Sequence, residues 1–199
     1  MGGRVVFLDK DGTLVEDVPY NVDPARIRLA AGAADGLTRL AAAGWRLAVV
    51  SNQSGVARGY FPEAALKAVE ARLRGLLGDI GVSLAGFFYC PHHPKGAVSE
   101  YAVTCDCRKP APGLVLAAAR ELDTDPRACW MVGDILDDVE AGRRAGCRAV
   151  LIDNGNETEW VPRPFREPHF KVPDLAEAAR VILASPGREA GGDADGGCR

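Results

Sequence analysis

The sequence has no long apolar run, no excess of basic residues and no leader-like start, and each absence excludes a class of protein. No stretch approaches the roughly 20 apolar residues that a membrane-spanning helix needs, so we expect no membrane partner. Lysine and arginine number 24 against 27 aspartate and glutamate residues, for a net charge of -3. Nucleic-acid partners usually require a basic face, so none is expected. The first residues lack the layout of a signal peptide, which favours a cytoplasmic protein.

What the sequence does contain is enough chain for one domain with a sizeable core. Its 199 residues are 47% hydrophobic and 26% charged, a composition typical of globular proteins. We predict a single domain over residues 1–184, which we expect to be a monomer. Residues 185–199 are rich in Gly, Ala and Asp and are predicted to form a disordered tail. In a cytoplasmic protein the six cysteines are expected to be thiols or metal ligands rather than disulfides.

Short apolar runs alternate with helical patterns along the chain. The apolar runs predict five buried strands, as follows: Val5–Leu8, Leu47–Val50, Phe87–Tyr89, Trp130–Val132 and Ala149–Ile152. Apolar spacings and cap residues predict helices at about 66–80, 112–122, 135–146 and 174–183. This alternation predicts an α/β fold: a three-layer, Rossmann-like, doubly wound and mostly parallel sheet, without a large cap domain. Ligands of such sheets bind beyond the carboxyl ends of the strands.

Two aspartates follow the first predicted strand directly. In extended chain Asp9 and Asp11 point to the same side, and Gly12 lets the backbone turn away. Two carboxylates held close repel each other unless one is protonated or a cation lies between them. Magnesium prefers such hard oxygen ligands and accepts phosphate beside them. The alternative is an ordinary Asp-Gly turn. The position of the full motif at a strand end favours a pair of functional carboxylates over such a turn.

A cluster of cysteine and histidine residues lies between positions 90 and 107. Cys90 and His92 are two residues apart, and so are Cys105 and Cys107, so each pair projects to one side of an extended chain. Together the two pairs can surround zinc tetrahedrally, and four protein ligands would make the site structural. His93 points the other way and is not expected to be a ligand. The alternative is a set of reduced, partly buried thiols.

Four short motifs, each at a predicted strand end or helix start, resemble those of the haloacid dehalogenase superfamily of phosphatases. They are, in order, Asp9-x-Asp11-Gly12-Thr13, Ser51, Lys109, and Gly133-Asp134 followed by Asp138. The resemblance implies a phosphate ester hydrolase that depends on magnesium. Taken singly, several of these residues have simpler interpretations: Ser51 as a helix cap, Lys109 as a surface lysine and Asp138 as a solvated helix residue.

The resemblance also implies a role for each motif residue. Asp9 would attack phosphorus, and Asp11 would protonate the leaving oxygen and later activate water. Magnesium would be bound by the Asp9 carboxylate, the Asp11 backbone carbonyl and Asp134. Lys109 and Ser51 would contact the phosphoryl group. Asp138 would support the site without touching the substrate.

Three longer strings narrow the resemblance to one family within that superfamily. Residues 51–59, 90–94 and 105–110 resemble D-glycero-D-manno-heptose 1,7-bisphosphate 7-phosphatases, and histidinol-phosphate phosphatases share much of the pattern. The family implies removal of the 7-phosphate in heptose nucleotide biosynthesis. Ile135 replaces an expected lysine and Val18-Pro19 an expected His-Gly, which leaves the sugar and anomer preference open. The implied contacts to the small sugar phosphate are Asp17, Tyr20, Ser51, Asn52, Gln53, Ser54, Arg58, Arg108 and Lys109.

Two further functions fit the superfamily motifs less well. A polynucleotide 3′-phosphatase would need the basic surface that this acidic sequence lacks. A non-enzymatic binding domain with the same fold would not require Asp9, Asp11, Lys109 and Asp134 to be present together. The sequence therefore predicts a small-molecule phosphatase, with magnesium as catalytic and zinc as structural metal.

Overall fold

Six parallel strands form one sheet in the computed structural model of the protein, which describes residues 3–185. The strands are β1 (Val5–Leu8), β2 (Arg46–Asn52), β3 (Leu84–Cys90), β4 (Trp130–Gly133), β5 (Arg148–Ile152) and β6 (Phe170–Val172). Their order in the sheet is β3-β2-β1-β4-β5-β6, and every pairing among them is parallel. The order reverses between β1 and β4, which places a crevice beyond the carboxyl ends of these two strands.

Five α-helices cover the sheet within the described part of the chain: α1 (Ala33–Ala42), α2 (Leu66–Asp79), α3 (Gly113–Glu121), α4 (Leu136–Ala145) and α5 (Leu175–Ala184). Their ends follow local sequence signals. Asp174 caps α5 by accepting a hydrogen bond of 2.9 Å from the Glu177 backbone N–H. Gly146 ends α4 with a φ of 99°, a left-handed conformation that costs glycine little.

The two faces of the sheet carry separate apolar cores. Val6 and Leu8 of β1 pack into a core with α1, α2 and α5, whereas Val5 and Phe7 pack into a second core with α3 and α4. All four of these side chains are fully buried. Each such burial stabilises the fold by about 1.5–3 kcal/mol, so the alternation along β1 ties the sheet to both helix layers.

The predicted α/β architecture is confirmed, with differences in detail. All five predicted strands are present, β1 with the predicted bounds and the other four with slightly different ones, and the described sheet is entirely parallel rather than mostly so. The sequence analysis missed β6, a three-residue edge strand with two exposed residues that gives no periodic signal. No inserted cap domain occurs among residues 3–185.

Two other predictions concern the C-terminal tail and membrane-spanning helices. Apart from Ser185, the predicted tail lies outside the described residues. Among residues 3–185, no helix has both the length and the apolar character required to cross a membrane.

Candidate functional site

Three buried carboxylates meet at the crevice between β1 and β4. Oxygen atoms of Asp9, Asp134 and Asp138 lie within 4.8 Å of one another, and all three residues are buried. The Lys109 ammonium lies among them: it contacts Asp9 and is 2.6 Å from an Asp138 oxygen. It also donates a 2.9 Å hydrogen bond to the Val50 carbonyl. One buried lysine therefore pairs with two of the three buried acids.

The charged groups of this cluster shift one another's pKa values. Burial raises the pKa of Asp138, and the neighbouring Asp9 and Asp134 raise it further, while Lys109 opposes both effects. Burial and the proximity of Asp9 raise the pKa of Asp134 to about 6. Burial lowers the pKa of Lys109, but Asp138 and Asp9 outweigh it and hold that pKa above its ordinary value. Three carboxylates and one lysine leave an excess of negative charge, and the carboxylate oxygens lie close enough together to bind one ion. This arrangement fits a divalent cation such as magnesium.

Glycines leave room for the carboxylates. Gly12 has a φ of 78°, and a Cβ there would lie 2.1 Å from an oxygen of Asp134. A Cβ at Gly133 would lie 2.2 Å from the Cβ of Asp138. Thr13 closes the turn by donating a 3.2 Å hydrogen bond to Asp134 Oδ1. Any larger residue at either glycine would displace a carboxylate of the site.

The second aspartate of the first motif is held by two partners. Lys10 Nζ is 2.5 Å from Asp11 Oδ1, and Gln53 Nε2 donates to Asp11 Oδ2 at 3.3 Å. Gln53 also donates to Ser51 Oγ at 2.9 Å, which links the ends of β1 and β2. Burial raises the pKa of Asp11 although Lys10 works against it. A carboxyl group with a raised pKa suits proton transfer in both directions.

Two adjoining clefts open above these residues. The first is lined by Asp9, Asp11, Asp17, Ser51, Asn52, Lys109, Asp134, Ile135, Asp138 and Asn156. The second is lined by Asp11, Asp17, Pro19, Tyr20, Asn52, Gln53, Ser54 and Gly55. Because Asp11, Asp17 and Asn52 border both, the clefts form one path from the buried acids to the surface. Apart from Arg58 and Arg108, every predicted substrate contact lines this path.

Asn52 has a structural task besides its place in the clefts. Its Nδ2 donates to the Lys109 carbonyl and its Oδ1 accepts from the Lys109 N–H, both at 3.1 Å. The side chain thereby fixes the backbone that carries the lysine of the site. Sequence reasoning assigned Asn52 to the sugar only and did not foresee this pair of hydrogen bonds.

Arg58 and Arg108 lie at the outer side of the path, around His93. Arg58 stands 5.9 Å from the centre of the Tyr20 ring, and its Nη2 is 3.3 Å from His93 Nε2. Arg108 Nη1 donates to the His92 carbonyl at 3.4 Å. Partial burial lowers the pKa of His93, and the nearby positive charges of Arg108, Arg58 and Lys95 lower it further. The two guanidinium groups form a positively charged border.

The predicted zinc ligands converge on one point. The thiol and imidazole ligand atoms of Cys90, His92, Cys105 and Cys107 lie within 4.8 Å of one another. Cys107 Sγ is 3.2 Å from the sulfurs of Cys90 and Cys105 and 3.4 Å from His92 Nδ1. Tetrahedral zinc holds sulfurs about 3.8 Å apart, so a small expansion of this cluster fits the metal. His93 is not among the converging residues; its Nδ1 accepts instead from the Lys95 N–H at 3.1 Å.

Several residues at the site gave no recognisable signal in the sequence. Asn156 Nδ2 donates to Asp134 Oδ2 at 2.7 Å, and Asn154 Nδ2 donates to the Gly12 carbonyl at 2.6 Å. Both belong to an Asn-Gly-Asn segment after β5, which looks like an ordinary turn. Lys10, buried beside Asp11, stands at a position that the motif leaves undefined. Only the folded sheet brings the two asparagines to the first motif and to Asp134.

Comparison with known proteins gives consistent results. The family model for HAD-hydrolase-like proteins matches residues 106–178. The D-glycero-beta-D-manno-heptose-1,7-bisphosphate 7-phosphatase of Pasteurella multocida is 42% identical over 153 residues, covering 76% of this chain and 83% of the relative.

Solved structures agree with this relationship. A D,D-heptose 1,7-bisphosphate phosphatase from B. bronchiseptica, in complex with magnesium and phosphate, has a TM-score of 0.77 and 33% identity. The match covers 91% of this chain and 98% of that one. A putative HAD-like phosphatase from Mesorhizobium loti has a TM-score of 0.78 and 33% identity, with 95% and 90% of the two chains covered.

Proposed function

The chain belongs to the D-glycero-beta-D-manno-heptose-1,7-bisphosphate 7-phosphatase family of HAD-like hydrolases, and from this membership we propose that it removes the 7-phosphate of D-glycero-D-manno-heptose 1,7-bisphosphate. The observation that carries the proposal is the likeness to a curated phosphatase of that name along most of its length. The reaction would leave the heptose 1-phosphate for nucleotide activation. Cytoplasmic localisation and a monomeric state stay predictions.

The chemistry begins at Asp9. An Asp9 carboxylate oxygen attacks phosphorus while the bond to the sugar oxygen breaks, and Asp11 gives its proton to that leaving oxygen. The product of this step is an aspartyl-phosphate. Asp11, now a carboxylate, removes a proton from a water molecule, which attacks phosphorus and releases phosphate and Asp9. The contacts of Asp11 with Lys10 and Gln53 support this assignment because they orient its carboxyl group beside Asp9.

Positive charge and hydrogen bonds stabilise the transferring group. When bound, magnesium would be held by Asp9, the Asp11 backbone carbonyl and Asp134, and it would offset the negative charge of the phosphoryl oxygens. Lys109 adds a fixed positive charge, and Ser51 a hydroxyl donor, at the buried end of the same cleft. Asp138, 2.6 Å from Lys109, keeps the lysine charged and in place.

The four converging thiol and imidazole groups are proposed to hold one structural zinc ion. Cys107 is followed directly by Arg108 and Lys109, so the order of the zinc loop fixes both residues. With all four positions occupied by protein ligands, the ion would have no open position for catalysis.

Recognition of the sugar is assigned to the outer part of the path. The 7-phosphate sits on a primary carbon at the end of an extended arm, so it can reach Asp9 while the ring stays outside. Arg108 and Arg58 would bind the remaining 1-phosphate, since guanidinium groups form bidentate contacts with phosphate. Asp17, Tyr20, Asn52, Gln53 and Ser54 would supply hydrogen bonds to hydroxyl groups.

Steady-state kinetics with the candidate substrates test the proposal. Both anomers of the heptose bisphosphate and histidinol phosphate are assayed with magnesium, using wild type, Arg108→Ala and, as a control, Arg39→Ala on the exposed face of α1. We expect the higher kcat/KM for a heptose bisphosphate anomer. We expect kcat/KM for that substrate to fall in Arg108→Ala and to stay unchanged in Arg39→Ala. The relatives are named for the β anomer, which we expect to be preferred. A higher kcat/KM for histidinol phosphate would reject the substrate and leave the phosphatase chemistry in place.

A further inference from the structure

The turn at residues 154–157, directly after β5, reaches across the crevice to several parts of the site. Asn154 Nδ2 donates to the Gly12 carbonyl at 2.6 Å, so the turn holds the first motif. Glu157 Oε2 accepts from the Leu136 N–H at 2.6 Å, so it also holds the start of α4. Asn156 N donates to Asn154 Oδ1 at 3.1 Å, which closes the turn on itself. These contacts fix the position of Asn156 relative to both walls of the crevice.

Asn156 uses this position to contact Asp134. Its Nδ2 donates to Asp134 Oδ2 at 2.7 Å, while Thr13 donates to the other oxygen at 3.2 Å. The fit is close, because a Cβ on Gly12 would lie 2.4 Å from that same Asn156 nitrogen. Both oxygens of a buried carboxylate are therefore oriented by hydrogen bonds, one of them from a segment outside the four motifs.

Asp134 requires such orientation because its neighbours are acids. Asp9 and Asp138 lie within contact range, and mutual repulsion favours any rotation that moves the carboxylates apart. An amide donor opposes this rotation without adding charge, whereas an ammonium group at the same place would compete with a bound cation. A neutral donor thus keeps the carboxylate oriented without adding a positive charge that would compete with a cation.

We propose that the 154–157 turn is a positioning element of the active site, and that Asn156 is the positioning residue that presents Asp134 to the catalytic magnesium. The inference rests on the proposed function for the identity of the metal. It predicts that loss of the Asn156 amide weakens magnesium binding in a protein that remains folded.

Magnesium binding measured by calorimetry, without substrate, tests this role. The variants are Asn156→Ala and Asn156→Leu, the second of which keeps the side-chain volume but removes the donor. Glu159→Ala, an exposed position of the same segment, is the matched control. We expect the magnesium Kd to rise about tenfold or more in both Asn156 variants and to stay unchanged in the control.

Thermal unfolding of the same proteins separates positioning from general stability. If both Asn156 variants bind magnesium with wild-type affinity, the inference is wrong, whatever happens to their Tm. Because no substrate is present, the result does not depend on which sugar phosphate is cleaved. Conversely, wild-type protein that binds magnesium but fails to cleave the heptose bisphosphate would reject the proposed substrate and leave this inference intact.

Discussion

Lys109 determines the charge balance of the site at the scale of single residues. Its ammonium group is buried with Asp9 and Asp138, and no other lysine or arginine forms an ion pair with either acid among residues 3–185. A buried charge that loses its partner is costly, because neither water nor another ion replaces the contact. The same lysine is therefore expected to serve both the fold and the phosphoryl transfer.

Replacing Lys109 with methionine should destabilise the protein strongly. The variant leaves two buried acids without a cation, so we expect the free energy of unfolding, measured with urea in the presence of chelator, to fall by about 3–5 kcal/mol. The double variant Lys109→Met/Asp138→Asn removes one of the unpaired charges and should recover part of the loss. A double variant less stable than the single one would contradict this account of the cluster.

Asp9→Asn should abolish turnover while the fold is retained. The amide cannot attack phosphorus, so neither product nor acid-stable phosphoenzyme should form when an aryl phosphate is mixed with the variant and magnesium. Asp35→Asn, at an exposed position of α1, serves as a control and should behave like wild type. Near-normal turnover by a correctly folded Asp9→Asn protein, checked by circular dichroism, would rule out the covalent route.

At the scale of elements, the site is built from the segments that follow strands. Motif residues at the carboxyl ends of β1, β2 and β4 could be predicted, because an apolar run followed by polar residues is visible in the sequence. Asn154 and Asn156 after β5 could not, since their partners Gly12 and Asp134 are distant in sequence and only the sheet order brings them together. The strand β6 was missed for a related reason: its pairing with β5, not its own pattern, defines it.

The loop between β3 and α3 offers a test with neighbouring histidines. His92→Ala removes a converging ligand, whereas His93→Ala removes an imidazole that faces Arg58 and the Lys95 backbone. We expect about one zinc ion per chain in wild type and in His93→Ala, and a large loss in His92→Ala, by metal analysis of purified protein. Equal zinc content in the two variants, or none in wild type, would refute the proposed zinc site.

At the scale of the whole molecule, the net charge and the open path to the site together restrict the kind of substrate that can bind. The net charge is -3, and the path to the acids is bordered by short loops with arginines at its outer edge. Such a path suits a small anion, which needs only a local positive border, whereas a long polyanion would be repelled by the net negative charge of the protein.

An oligonucleotide carrying a 3′-phosphate should therefore be a poor substrate. We expect its kcat/KM to lie far below that of the heptose bisphosphate at the same ionic strength, since a net charge of -3 gives no overall attraction for nucleic acid. A length series, from a nucleoside 3′-phosphate to a longer oligonucleotide, provides the control. If kcat/KM rose with length, nucleic-acid binding would have to be reconsidered.

The place of β1 in the middle of the sheet also governs when the enzyme becomes active during its synthesis. Val6 pairs with Leu47 on one side and with Trp130 on the other. A growing chain thus contains Asp9, the proposed nucleophile, before it contains β4, and one edge of β1 stays unpaired until β4 has been translated. An open, apolar strand edge favours association with other chains, so we expect a chain that ends before β4 to aggregate more readily than the chain with the full sheet. Asp9, the proposed nucleophile, is therefore expected to become competent only after β4 has paired with β1.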